Sequence, residues 1–361
     1  MRSSRVFQGL MVGVGAAALL FAGCERDDGD DDADEEETEE TDNGEEADRD
    51  TTDPERADRG GVPSDASYAM FPENSEMVAG LAFASVRESA LWEHYWDTIV
   101  SAIDADNEFA DAQEACGFDP FAKLENVMIG GETGNEDELL IVVEGFSRDE
   151  ITSCAEAVAA LQDEELEITA DGDFDKLSDG DGDGIWLAWI GDRTMATGGP
   201  ALEGDDDEGR AWLEQRVSGE AGLAADSPLA QLVEDHVERH AGLWFGMIPD
   251  DDGPVGGEMA LAGGPQPQAI FGSIAPADGL DIAAGLRFSS ADEAQELHET
   301  ATQMLPLVKA QAGELEAVID NAELSVEDTD MLVSLSLSQE ELAQLVDGVT
   351  EMFGDFGAAF P

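Results

Sequence analysis

Lysine is almost missing from this 361-residue chain: three occur, at Lys123, Lys176 and Lys309. Arginine brings the basic total only to 16, against 85 acidic residues, for a formal net charge of −69. So few cations exclude nucleic-acid binding as a general function, because phosphate recognition needs a basic surface. They equally argue against electrostatic docking on anionic lipid headgroups. Cysteine is scarce too, with three residues, Cys24, Cys116 and Cys154. After the first two dozen residues no stretch approaches about 18 consecutive apolar side chains, which excludes a transmembrane helix on length. Also missing are a Gly-x-Ser-x-Gly elbow, a phosphate loop and a dinucleotide fingerprint placed after a strand. Acidic pairs, by contrast, are so abundant that none stands out as a catalytic dyad.

What is present is a real core. Hydrophobic residues make up 42% of the chain, too many for a wholly disordered acidic polymer. Length suggests one large domain or two small ones.

The N-terminus carries Arg2 and Arg5, then a Gly/Ala/Leu-rich apolar run from Phe7 to Gly23. It ends Leu20-Phe21-Ala22-Gly23-Cys24 and turns acidic at once. A charged n-region and a short h-region read as a signal peptide over residues 1–23 rather than a membrane span. The segment resembles a bacterial lipoprotein signal with its lipobox. That resemblance implies that Cys24 is diacylated and becomes the mature N-terminus, held in the membrane by buried methylenes at ~0.8 kcal/mol each.

Residues 24–60 read as the lipidated cysteine and a tether. Glu25–Gly60 holds 20 acidic residues and four arginines, a net −16. Such a block buries too little to offset chain entropy and is expected to be disordered. It would span about 30 Å root-mean-square, and more with self-repulsion.

Residues 61–361 alternate apolar strands with amphipathic helices, and still carry a net −55. Four times a strand ends in serine with glutamate three residues on: Ser85/Glu88, Ser147/Glu150, Ser290/Glu293 and Ser338/Glu341. Each has the form of a capping box, in which both side chains satisfy free amides at a helix start. The last of these helices carries the stripe Leu342, Leu345, Val346 and Val349. Glu138–Phe146 with its helix, then Glu167–Thr169 and Gly184–Ile190, reads strand–helix–strand–strand. Leu280–Phe288 with its helix, then Ala322–Glu327 and Met331–Leu337, reads the same way. The class expected is α+β, with two related halves (about 61–200 and 201–361), antiparallel sheets and helices on one face. Helices from Glu208 and from Ser227 should bridge the halves.

In an oxidising compartment Cys116 and Cys154 are expected to be joined, with two free thiols as the alternative. No Cys-x-x-Cys spacing points to redox chemistry. Cys116 opens the turn Cys116-Gly117-Phe118-Asp119-Pro120. This segment resembles uncharacterised lipid-anchored envelope proteins of myxobacteria-like Gram-negative bacteria, a resemblance that implies no activity.

Asp179-Gly180-Asp181-Gly182-Asp183-Gly184 resembles the opening of an EF-hand loop, so Asp179, Asp181 and Asp183 are candidate Ca²⁺ ligands. The twelfth position, where a bidentate Glu belongs, is Ile190, and Ile185–Ile190 reads as a buried strand. An acidic hairpin loop is the competing account. His236 and His240 are four apart on an expected helix, a spacing that can put two imidazoles on one metal. They border the apolar stripe Leu229, Leu232, Val233 and Val237, however, and read as a core-edge pair. His94, beside Trp92 and Trp96, reads as packing.

The expected function is therefore non-enzymatic, with no cofactor: a lipid-anchored envelope protein, outer membrane favoured, that docks an envelope partner. The alternative is a calcium-dependent binding or adhesion module; an envelope hydrolase ranks below both. The folded part's charge also suggests a salt-rich exterior, where screening offsets self-repulsion.

Overall fold

A computed structural model of the chain describes residues 65–103, 108–179, 184–202, 206–220, 222–239, 241–249, 265–276, 279–312 and 319–343. The expected signal and tether, Cys24, Asp181 and Asp183 lie outside them.

The first half opens with a 3-10 helix, Asp65–Met70, and strand β1, Met77–Ala82. Helices α1 (Phe83–Arg87), α2 (Ala90–Ile103), α3 (Glu108–Cys116) and α4 (Pro120–Lys123) follow. Then come β2 (Asn126–Gly131), β3 (Leu140–Glu144) and α5 (Arg148–Leu161). Strands β4 (Leu166–Asp171), β5 (Phe174–Asp179), β6 (Gly184–Trp189) and β7 (Thr194–Gly198) close the half. Helices α6 (Asp206–Ser218) and α7 (Pro228–His236) lead onward. The second half holds β8 (Leu243–Met247), β9 (Ala269–Ala275), β10 (Gly279–Arg287), α8 (Ala291–Ala312), β11 (Ala322–Glu327) and β12 (Asp330–Ser338).

All twelve strands belong to one sheet, in the order β11-β12-β10-β9-β8-β1-β2-β3-β7-β6-β5-β4. Every pairing is antiparallel, as the class predicts. The halves are related in topology. Each is a three-strand meander, a helix, and a returning meander whose last strand pairs with the third: β7 with β3, and β12 with β10. The halves meet at β1 and β8, with Ala79 opposite Phe245. Between β4 and β6 lies a strand that periodicity does not reveal, because the β5 sequence Phe-Asp-Lys-Leu-Ser-Asp lacks apolar alternation.

Strand alternation sorts the core onto two faces. Face A carries Val78, Met128, Val142, Trp186, Trp244 and Phe271 beneath the 3-10 helix, α6 and α7. Gly80 admits the Trp244 indole there; a Cβ at that position would stand 2.4 Å from the ring. Face B carries Ala79, Val127, Ile141, Leu187 and Trp189 beneath α1, α4 and α5. In the second half, α8 seats Ala294 against Phe288 and Met331, with Leu286, Leu324, Val326 and Val333 around them. The register places Leu286, Met331 and Val326 on face B. The two intra-unit helices α5 and α8 therefore share one face, and the bridging helices α6 and α7 take the other.

Three of the four expected boxes cap helices. Ser147 accepts from the Glu150 amide while Glu150 accepts from the Ser147 amide. Ser338 and Glu341 repeat the exchange, and at α8 Glu293 bonds to Ser289 and Ser290. The fourth fails. Ser85 lies inside α1, whose N-cap is Ala82. The amides of Phe83 and Ala84 donate instead to the carbonyl of Glu125, so a side-chain cap has nothing left to satisfy there.

Cys116 and Cys154 form a disulfide that ties α3 to α5, with Cα atoms 4.4 Å apart. Among the described residues no helix is long and apolar enough to cross a membrane.

Candidate functional site

The calcium reading rests mostly on residues outside the described part. Asp179, the one candidate inside it, ends β5 half-buried and opposite Leu166. The segment after it is strand β6, buried at every position. Among the described residues no group of three or more His, Cys, Asp or Glu side chains is placed to hold a metal.

The helix expected to carry the histidine pair is shorter than its sequence suggests. Helix α7 stops at His236, and Val237 is extended with φ −117° and ψ 127°; His240 lies outside the described residues. His94 points its Nδ1 at the Ala90 carbonyl, 3.0 Å away, on the exposed side of α2.

The cations form a more informative set. Ten basic residues follow residue 60, and every one of them is engaged. Arg148 makes a fork on the buried carboxylate of Asp175, Nε to Oδ2 at 2.7 Å and Nη2 to Oδ1 at 2.5 Å, where Trp189 Nε1 also donates at 2.9 Å. Lys123 pairs with Glu150, linking α4 to α5. That contact, followed by the Ser147 amide, pulls the Glu150 carboxyl down to a pKa of about 2. Arg87 donates to the Phe121 carbonyl at 2.6 Å. Arg193 pairs with Glu125 at 3.0 Å, and Arg216 with Glu138 at 2.9 Å. Arg210 bridges Asp171 and Glu214, and Arg239 bonds to Glu234 over the Tyr68 ring. Lys309 holds Asp320, and Lys176 is engaged as well. Short of positive charge, the fold uses most of its cations as staples between elements.

The tenth, Arg287, ties the second half's sheet to the bridging helix α7. Its guanidinium forks onto Asp330 at 2.8 and 2.9 Å, crossing from β10 to β12. The same Nη2 lies 2.6 Å from His236 Nε2, at the end of α7. His236 stacks at 4.8 Å on Phe271 of β9. Burial, then the Arg287 charge, pushes the imidazole below the ordinary histidine value, which favours the neutral ring that can accept from Arg287. Sequence reading missed this cluster. Its signal was a lone arginine ending an alternating strand, three residues before a helix cap.

Beyond Arg287, face A changes character. Asp281 and Ala283 of β10, Ser334 and Ser336 of β12, and Glu323, Ser325 and Glu327 of β11 are all exposed. The register puts them on one side. Among the described elements none covers them. The same side in the first half, Met128, Val142, Trp186 and Ala196, is apolar and buried. The second half therefore presents an exposed surface of small and acidic side chains, with no unengaged cation near it among the described residues.

No family model matches this chain, and no curated protein matches it. Two solved structures resemble it in shape: "Structure of crystal form III of TP0453", with a TM-score of 0.47 and 9% identity over 78% of this chain and 97% of that one. The other is "Structure of crystal form I of TP0453", with a TM-score of 0.40 and 11% identity over 77% and 95%.

Proposed function

We propose that this protein is a lipid-anchored, non-enzymatic component of the cell envelope, acylated at Cys24 and carried on its acidic tether. Its work is to bind a partner through face A of the β10–β12–β11 sheet. The observation that carries this reading is the open, acidic, small-residue surface of Asp281, Glu323, Glu327, Ser334 and Ser336. Every basic residue beyond residue 60 is meanwhile occupied within the fold. Charge complementarity then selects a partner with a basic surface, and sets on-rate and specificity more than raw affinity.

Cross-linking in intact cells tests the reading with two baits, the native chain and the triple variant Asp281→Lys, Glu323→Lys, Glu327→Lys. A partner captured by the native chain, lost by the variant and weakened by salt is the expected result. Equal capture by both baits sinks the assignment of the face. Mass spectrometry of the mature N-terminus tests the anchor: an unmodified Cys24, or a terminus elsewhere, overturns it.

A further inference from the structure

The sheet has two ends, β4 in the first half and β11 in the second, and they are finished differently. Printed bonds fix which backbone groups face outward at β11. The Phe288 amide donates to the Thr329 carbonyl, and the Gln268 amide to the Arg287 carbonyl. Thr329 and Met331 thus turn their backbone groups toward β10, and Asp330 between them turns its own toward β11, because the direction alternates along a strand. Glu327 lies across from Asp330, so Glu327, Ser325 and Glu323 are the residues that bond to β12. Ala322, Leu324 and Val326, each half-buried, aim their amides and carbonyls away from the sheet. Among the described residues none answers them.

We infer that this edge receives a strand from the partner: an extended segment with lysine or arginine four residues apart on one side and apolar residues on the other. The inference rests on the reading of face A as the docking surface and adds how the partner is held. Edge strands are commonly blunted by lysine, proline, a bulge or a covering element. β11 contains neither lysine nor proline, and its six residues pair with β12 without a bulge. Its side chains sort by face. Glu323, Ser325 and Glu327 stand exposed on face A, while Leu324 and Val326 pack into the cluster beneath α8. A strand laid alongside is therefore read twice, by carboxylates on one face and by aliphatic groups on the other. In such strand addition the main-chain bonds give affinity and the alternate side chains give specificity.

Charge separates β11 from the other end of the sheet. At β4 the carboxylates are met within the fold: Arg210 pairs with Asp171 at 2.7 Å, and Lys176 lies across from Thr169, between Glu167 and Asp171. At β11 the residues across from Glu323 and Glu327 are Ser334 and Asp330. Neither glutamate has an ion-pair partner among the described residues. Charge also opposes a second copy as the occupant. Two β11 strands paired antiparallel about Ser325 would set Glu323 of each copy opposite Glu327 of the other, and like charges directly opposite destabilise a strand pair. A segment with cations four residues apart instead sets one beside each glutamate.

The capped peptide Val-Lys-Val-Ser-Val-Lys-Val, added to the mature full-length chain at low salt, tests the inference. At saturation, amide exchange at Ala322, Leu324 and Val326 should slow about tenfold or more, while Glu323, Ser325 and Glu327, already bonded to β12, scarcely change. No slowing at those three amides overturns the inference. So do outward amides as slow as the inward ones before peptide is added, because another strand then holds the edge. Leu324→Pro removes the central outward donor without taking a bond from β12, and should weaken binding about tenfold or more. Leu324→Ala keeps that donor and should bind nearly as the native chain does, which controls for lost packing. The double variant Glu323→Gln, Glu327→Gln should weaken binding about fivefold. If Leu324→Pro folds poorly, the exchange pattern of the native chain still decides. Binding equal in the native and Leu324→Pro chains but lost with the two glutamates overturns the added strand and leaves the face A reading standing. Binding that none of these variants changes overturns both.

Discussion

The two halves share a connectivity and differ in how much of it they bury. In the first, strands β2, β3 and β6 are sealed on both faces, with α5 on one side and the 3-10 helix and α6 on the other. In the second, β11 alternates half-buried with exposed, and face A of β10 and β12 opens to water beyond Leu332. Cross-links are distributed in the same way. The first half holds the disulfide and the Arg148–Asp175–Trp189 lock, whereas the second relies on Arg287 and Asp330. A repeated topology is thus covered on both faces in one copy and left with an exposed sheet face in the other. Binding surfaces tend to be drawn from the less protected parts of a fold.

Breaking the covered half should have the largest effect. Replacing Cys116 and Cys154 by serine removes a cross-link over a 38-residue separation, with an expected loss of about 4 kcal/mol on the chain-entropy model. A urea midpoint that does not move would show the bridge to be idle. Next comes Arg148→Ala, which strands the buried Asp175 carboxylate with only the Trp189 donor. A loss of about 3 kcal/mol is expected, because an uncompensated buried charge costs more than its pair contributed. The double variant Arg148→Met, Asp175→Leu should recover most of that loss; failure to recover would mean that the fork, rather than the stranded charge, carries the stability.

Acid should separate the halves. Burial and Arg287 hold His236 below the ordinary histidine value, with Asp330, Asp235 and Glu327 opposing them. The unfolded imidazole then takes up a proton before the folded one does. Stability from this group is complete well above about pH 6.5 and falls as pH drops through the depressed folded value. In the first half Glu150 is shifted to about 2 from an ordinary 4.5. Its contribution is present above the unfolded value and fades only as pH falls from the unfolded toward the folded value. Exchange protection in β10 and β12 should therefore weaken as pH falls below about 6.5 while β2 and β3 hold, and His236→Gln should flatten that dependence. Simultaneous loss in both halves would mean that the sheet opens as one unit.

The capping boxes explain why so much of this was legible in sequence. Ser147/Glu150, Ser290/Glu293 and Ser338/Glu341 mark real helix starts because the chemistry is local: a hydroxyl and a carboxylate answer amides within four residues. Ser85/Glu88 carried the same letters and failed, since the Glu125 carbonyl, forty residues away, had already taken those amides. Long-range closure was out of reach for the same reason. Nothing local announces that β1 pairs with β8, or that β5 with its polar sequence sits in the sheet. The face A surface was equally hidden. Its residues are unremarkable serines and glutamates until register aligns them on three strands.

Salt should act last and most gently, and most where the covered half gives way to the open half. Beyond residue 60 the chain carries a net −55, and most cations there are already paired with a particular carboxylate, so the excess is spread over the surface as mutual repulsion. Screening acts over about 8 Å at physiological ionic strength and about 3 Å at 1 M. Added NaCl should therefore raise the melting temperature by a few degrees, on the order of 1–2 kcal/mol for a fold of this size. The gain should appear as slower exchange in β10, β11 and β12, where Asp281, Glu323 and Glu327 crowd one exposed face. In β2 and β3, sealed on both sides, exchange should scarcely change. A melting temperature flat from low to molar salt would mean that repulsion among these carboxylates is already relieved. A gain shared equally by β2 and β12 would place the strain on the whole surface rather than on the open half.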